Sequence, residues 1–166
     1  MKTKSSHKTE TATFAAGCFW TPELKFSKLK GVKETKVGYT GGNDKKYPKP
    51  SYEQVCSDET GFAEAVQVTF DNKIISYEKL LEEFWKMHDP TQMNRQGPDF
   101  GSQYRSAIFY HDESQRQTAL KSKITQQKKL GSSKRIVTEI TPAGKFHSAE
   151  EYHQKYLEKR GMKFCH

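Results

Sequence analysis

The chain has 166 residues, which suits one domain able to bury its own core without disulfide staples. Its formal charge of +8 is scattered over lysines in the N-terminal tail, 28–36, 45–49, 121–134 and the C-terminus, which reads as solvated surface and argues against nucleic acid as a partner. The opening MKTKSSHKTE carries charge with no apolar run behind it, and no later segment is long enough to span a bilayer. A soluble protein of a reducing, cytoplasmic compartment, without membrane partners, is expected.

Residues 1–10 read as a disordered polar tail and 11–166 as a single domain, with a mobile C-terminal segment from about 158. A short strand is predicted over 11–16, and Gly17 permits a tight turn out of it. Residues 19–29 carry Trp20, Leu24 and Phe26 at near-helical spacing, with Pro22 tolerable only in the first turn, so a helix starts close to Cys18. A strand follows over 32–39, then a polar loop over 43–61 without a clear period. Alternation predicts a strand over 63–70. Ser76 caps an amphipathic helix with Tyr77, Leu80, Leu81, Phe84 and Trp85 on one stripe, which His88-Asp89-Pro90 stops. After an irregular stretch over 91–103 come a strand over 104–110, a lysine-rich helix over 113–130 and a strand over 135–140. The last prediction is a helix from the Ser148 cap to about Lys159, with Glu151 completing a capping box. The order makes two split β-α-β units, which implies a mostly antiparallel sheet with helices on one side.

Three cysteines, Cys18, Cys56 and Cys165, lie far apart with no C-x-x-C, a pattern that fits neither a disulfide framework nor structural zinc. Cys18 sits in Phe14-Ala15-Ala16-Gly17-Cys18-Phe19-Trp20, where a strand ends and a helix begins. Backbone N–H groups at such a start stabilise a thiolate, but free cysteine is also among the most buried residue types, so the pattern alone leaves nucleophile and apolar filler open. Phe19 and Trp20 are either core or the walls of an apolar pocket. Glu64 interrupts the small, apolar run Ala63-Glu64-Ala65-Val66. A carboxyl held against apolar walls can donate a proton, and the alternative is a solvated edge glutamate. Tyr52 and Tyr104 flank turns from which a phenol can reach a polar ligand, and Asp99 can bond a neighbouring donor. Four histidines, His88, His111, His147 and His153, offer Cys–His pairings without a local signature for any of them. Cys165, near the chain end, is placed to exchange with a reactive sulfur, and Cys56 is taken as structural.

Together these segments resemble the A-type peptide methionine sulfoxide reductases. The shared blocks run in family order: Gly17-Cys18-Phe19-Trp20, Val37-Gly38-Tyr39-Thr40-Gly41-Gly42, Tyr52-Glu53-Gln54-Val55-Cys56, Ala63-Glu64-Ala65-Val66, Ile75-Ser76-Tyr77-Glu78, Phe84-Trp85, His88-Asp89-Pro90-Thr91, Arg95-Gln96-Gly97, Gln103-Tyr104-Arg105-Ser106 and Glu150-Glu151-Tyr152-His153-Gln154. The resemblance implies an α+β two-layer sandwich with a ferredoxin-like split β-α-β core and a mixed, mostly antiparallel sheet. It implies Cys18 as nucleophile, Glu64 as the acid that protonates the sulfoxide oxygen, and Tyr52 and Tyr104 as hydrogen-bond donors to that oxygen. Phe19 and Trp20 would box the substrate methyl group, Asp99 would support the site and Tyr156 would contribute to its rim. Cys165 would resolve a Cys18 sulfenic acid, with thioredoxin recycling the disulfide. No metal or cofactor is implied. The substrate would be the S epimer of methionine sulfoxide, free or within oxidised proteins and peptides, and a monomer is expected.

Three departures stand out. Thr21-Pro22 follow Trp20 where the family usually has a small residue, Phe62 replaces a common histidine before Ala-Glu, and the tail after Leu157 is short with a single cysteine. The last favours a one-step resolving route. Two rival readings, a nucleic-acid-binding protein using the basic surface and a cysteine hydrolase, explain none of the ordered blocks around Glu64, Tyr52 and Tyr104.

Overall fold

A computed structural model describes residues 9–163. Cys165 lies outside the described residues. Strand β1 (Thr9–Ala16) pairs antiparallel with β3 (Ala63–Asp71) on one side and β6 (Ser106–Tyr110) on the other; β2 (Val32–Thr40) pairs antiparallel with β3. The sheet order is β7-β6-β1-β3-β2-β8, with β7 (Glu139–Pro142) parallel to β6 and β8 (His147–Ser148) antiparallel to β2. β1 and β2, joined by helix α1 (Trp20–Ser27), are thus parallel to each other and separated by β3. Likewise β3 and β6, joined by α3 (Tyr77–Lys86), are separated by β1. These are two interleaved split β-α-β units, as expected, with β6 and β7 joined by the long helix α4 (Glu113–Leu130).

Strand periodicity divides the two faces of the sheet. Ala12, Phe14 and Ala16 of β1 join Val66, Val68 and Phe70 of β3 and Ile108 of β6 in the main core under the helices. The opposite face holds a smaller cluster of Ala15, Ala63, Ala65, Ala107 and Phe109. Helix α3 contributes the predicted stripe, with Leu80, Leu81 and Phe84 fully buried. Phe14 stacks between helices at 5.1 Å from Phe26 and 5.3 Å from Phe84, centroid to centroid. Each of these large side chains contributes roughly 1.5–3 kcal/mol by leaving water.

Several predicted elements shift. Thr9 and Glu10 belong to β1, opposite Asp71 and Phe70, rather than to a tail. The loop over 43–61 contains a short helix, α2 (Tyr52–Cys56), whose N-cap Ser51 forms a reciprocal capping box with Gln54. The stretch 91–103 contains a two-residue hairpin, β4 (Arg95–Gln96) and β5 (Asp99–Phe100), followed by a 3-10 turn over Ser102–Tyr104. The predicted helix from Ser148 is the largest correction: that segment is strand β8, a 3-10 turn over Glu151–His153 and a single helical turn, α5 (Tyr156–Lys159). Lys155 takes the left-handed conformation, and its N–H donates to Glu23 Oε1 at 2.7 Å instead of to a helical carbonyl. The Gln154 side chain grips the main chain of Val37, accepting its N–H at 3.0 Å and donating to its carbonyl at 2.9 Å. Tertiary partners therefore take the groups that a continuous helix needs.

Candidate active site

Cys18 stands between the end of β1 and the first turn of α1. The turn depends on Gly17 at φ +89°, where a Cβ would come within 2.8 Å of the Gln96 side chain. Gln96 in turn is held by the Asp89 main chain, accepting its N–H at 2.8 Å and donating to its carbonyl at 2.9 Å. The hairpin that carries Asp99 is thereby pinned over the cysteine turn.

Glu64 shares a face of β3 with Val66, Val68 and Phe70, so the carboxyl extends an apolar row into the core and is only 1 % exposed. Its Oε1 accepts the backbone N–H of Phe19 at 3.2 Å. The buried acid thus accepts from the N–H one residue past the thiol, at the same helix start. This excludes the solvated edge glutamate that the sequence left open.

Helix α2 brings Tyr52 to the site, and the 3-10 turn brings Tyr104. Burial is the main cause pushing both phenols above the ordinary tyrosine range, and the Glu64 carboxyl adds to it, so both remain hydrogen-bond donors at neutral pH. Tyr104 lies within electrostatic reach of Glu64, Cys56, Asp99 and Cys18, which joins four distant stretches of chain in one place. Cys56 also belongs here: its thiol lies near the Tyr52 and Tyr104 phenols, and burial, the largest cause, pushes it up. Sequence reading treated Cys56 as structural. The signal was the Ser51-x-x-Gln54 box, which makes Tyr52 and Cys56 an i, i+4 pair on one helix face.

Phe19 is buried at 1 % exposure, and its ring lies 5.9 Å from Tyr39 and 5.3 Å from His153. Trp20 is half-buried, with its Nε1–H donating to His153 Nδ1 at 3.1 Å. Tyr156 lies flat against the indole at 3.7 Å and 4°, so it backs Trp20. Glu150, named in the sequence only as part of a shared block with no role of its own, accepts the Tyr39 hydroxyl at 2.8 Å and the Tyr52 N–H at 2.9 Å. The aromatic pair, the two phenols and the acid therefore meet around Cys18. Cys165 is outside the described residues. Among those residues no group of three or more His, Cys, Asp or Glu could hold a metal ion, and no helix is long and apolar enough to cross a membrane.

A thiol at a helix start, a buried carboxyl bonded to the next residue's N–H, and two protonated phenols are the groups that a cysteine oxidoreductase of the thiol–acid kind would use. Relatives agree with that class. A model of the peptide methionine sulfoxide reductase family matches residues 10–166. The peptide methionine sulfoxide reductase MsrA of Methanosarcina acetivorans is 57% identical over 153 residues, which span 92% of this chain and 80% of that one. The crystal structure of Mxr1 from Saccharomyces cerevisiae in reduced form superposes with a TM-score of 0.89 at 40% identity, covering 95% of this chain and 89% of Mxr1. Mxr1 in complex with Trx2 superposes with a TM-score of 0.63 at 28% identity, covering 94% and 89% of the two chains. The chain belongs to the peptide methionine sulfoxide reductase family.

Proposed function

We propose that this chain reduces methionine S-sulfoxide, free or within oxidised proteins and peptides, to methionine, as a monomeric cytoplasmic repair enzyme whose catalytic domain begins with β1 at Thr9. The bond from the Phe19 N–H to Glu64 Oε1 carries this reading, because it ties a proton source to the nucleophile's own turn.

Sulfoxide sulfur becomes electrophilic as its oxygen gains a proton. Glu64 supplies that proton, and the hydroxyls of Tyr52 and Tyr104 stabilise the charge that gathers on oxygen. The substrate methyl group lies between Phe19 and Trp20, and Asp99 supports Tyr104. The Cys18 sulfur bonds to the sulfoxide sulfur as the protonated oxygen leaves as water; water then adds to the Cys18 sulfur, that S–S bond breaks, and methionine departs to leave a sulfenic acid on Cys18. The Cys165 thiol then displaces the hydroxyl as water and forms a Cys18–Cys165 disulfide. Thioredoxin reduces that disulfide by exchange, a reading supported by the complex of the related Mxr1 with Trx2.

The test is an epimer-resolved assay with dithiothreitol and then with thioredoxin. Activity confined to the S epimer is expected, and reduction of the R epimer alone would overturn the pocket assignment. Cys18→Ser should remove turnover. Glu64→Gln should slow the reductase step by about a hundredfold, the scale of a lost general acid; an unchanged rate removes Glu64 from that role. Cys165→Ser should stop after one turnover with thioredoxin, whereas repeated turnovers would assign recycling to Cys56 or to direct reduction of the sulfenic acid.

A further inference from the structure

Trp20 is held in two different ways. Tyr156 covers one face of the indole, and the Arg160 guanidinium lies 3.6 Å from the Tyr156 ring centroid on the stack. A stack fixes the plane of a ring but resists sliding and in-plane rotation only weakly. The directional contact is the hydrogen bond from Trp20 Nε1–H to His153 Nδ1. Indole N–H is a donor with no acceptor alternative, so Nδ1 must present its lone pair and the ring proton must sit on Nε2.

We propose that neutral His153 is the positioning residue of the methyl pocket: its Nδ1 lone pair fixes the Trp20 wall, and protonation of the imidazole releases that wall and weakens sulfoxide binding in acid. The inference rests on the reductase reading above for the identity of the ligand, but not for the behaviour of Trp20.

The surroundings of His153 favour this role. The ring is 1 % exposed and packs at 4.5 Å from Tyr52, 5.3 Å from Phe19 and 4.1 Å from Tyr152. Its Nε2 has no hydrogen-bond partner among the described residues, so an imidazolium there would be poorly solvated. The groups that face it are the phenols of Tyr52 and Tyr152, the Trp20 indole and the Glu150 carboxylate. Only Glu150 favours the charged ring, and its two oxygens are already engaged by the Tyr39 hydroxyl and the Tyr52 N–H. Burial outweighs it and holds His153 below the ordinary histidine range. Below that point Nδ1 becomes a donor facing another donor, and the bond to Trp20 is lost.

The chain contains two tryptophans, which makes the test direct. The indole N–H resonances are followed by NMR from about pH 8 to 5, together with the His153 ring signals. The Trp85 indole donates to Ser122 Oγ at 2.7 Å and serves as the internal control. Trp20 N–H should shift with the midpoint of His153 while Trp85 stays constant; a Trp20 signal that ignores the His153 titration overturns the proposal. In parallel, binding of N-acetyl-methionine S-sulfoxide amide to a Cys18→Ser variant is measured over the same range. Affinity should fall about fivefold across the His153 midpoint, the scale of one neutral hydrogen bond. His153→Asn, which can present a carbonyl oxygen at the Nδ1 position, should bind with no such pH dependence. His153→Leu should bind weakly at every pH. Equal affinity in these two variants, or the wild-type pH dependence retained in either, would overturn the proposal. A titrating Trp20 with no sulfoxide binding at any pH would instead overturn the reductase reading and, with it, the pocket role of His153.

Discussion

At the scale of single residues, the cysteine turn and its acid depend on groups whose roles are steric and directional. Gly17 combines φ +89° with the Gln96 side chain lying where its Cβ would go. A side chain there strains the backbone and displaces the hairpin together. Gly17→Ala should cost about 1–3 kcal/mol in urea unfolding and lower kcat/KM at least tenfold, as expected for a strained position coupled to the site. Wild-type stability with normal kcat/KM would show that the turn tolerates a Cβ. Glu150 is a second such residue, since one carboxylate bridges the Tyr39 hydroxyl on β2 and the Tyr52 N–H at the start of α2. Glu150→Ala leaves both donors without their acceptor and, if Tyr52 donates to the oxygen as proposed, should lower kcat more than it raises KM. Steady-state kinetics with a methionine sulfoxide peptide separates those parameters.

At the scale of elements, the segment after β8 behaves as a clamp rather than as a helix. Glu23, 2 % exposed on α1, accepts the Thr35 hydroxyl at 3.0 Å and the Lys155 N–H at 2.7 Å. It therefore ties α1, β2 and the left-handed turn at Lys155 together. Burial pushes the Glu23 carboxyl up, and the two hydrogen bonds and nearby Lys155 pull it back. Glu23→Ala should cost about 1–3 kcal/mol, the range for stranding buried hydrogen-bond partners. Faster amide exchange across 150–159 than across β3 in the variant is the accompanying signature; uniform exchange would argue against a local clamp. The Ser148 and Glu151 pattern suggested a capped helix because capping signals are read along the chain. The Glu23 and Val37 partners that break it lie more than a hundred residues away. Helix α2 shows the opposite case. Its Ser51–Gln54 box was present in the sequence but was hidden in a loop with no apolar period.

At the scale of the molecule, a half-buried histidine links the helical layer to the sheet. His88 at the end of α3 pairs through Nδ1–H with the Phe84 carbonyl at 2.9 Å. Its Nε2 accepts from the Ser106 hydroxyl at 2.7 Å, and that hydroxyl is 2.8 Å from the Thr138 hydroxyl. Burial pushes the His88 imidazole down to about 4. A histidine lowered in the folded state leaves the unfolded chain to bind more protons between the two values. Stability is therefore complete above about pH 6.5 and is lost as pH falls toward 4, by up to about 3 kcal/mol. Urea midpoints at pH 7 and pH 4.5 test this, with His88→Gln expected to flatten the difference. An unchanged pH dependence in that variant would assign the acid sensitivity to other groups.

The amino-acid sequence by itself determined the order of the main strands and helices from β1 to α4, the split β-α-β connectivity, the amphipathic stripe of α3 and the motif set around Cys18, Glu64, Tyr52 and Tyr104. These are local or periodic properties, written in spacing, caps and composition. Only the tertiary structure decided that Glu64 points into the core and bonds the N–H beside the thiol. It also decided that Cys56 shares the phenols, that Tyr156 backs Trp20, and that Glu150 and His153 hold the site from the C-terminal side. Each of those facts is a meeting of atoms far apart in the chain. Sheet register and the left-handed turn at Lys155 bring them together, and no local pattern encodes that distance.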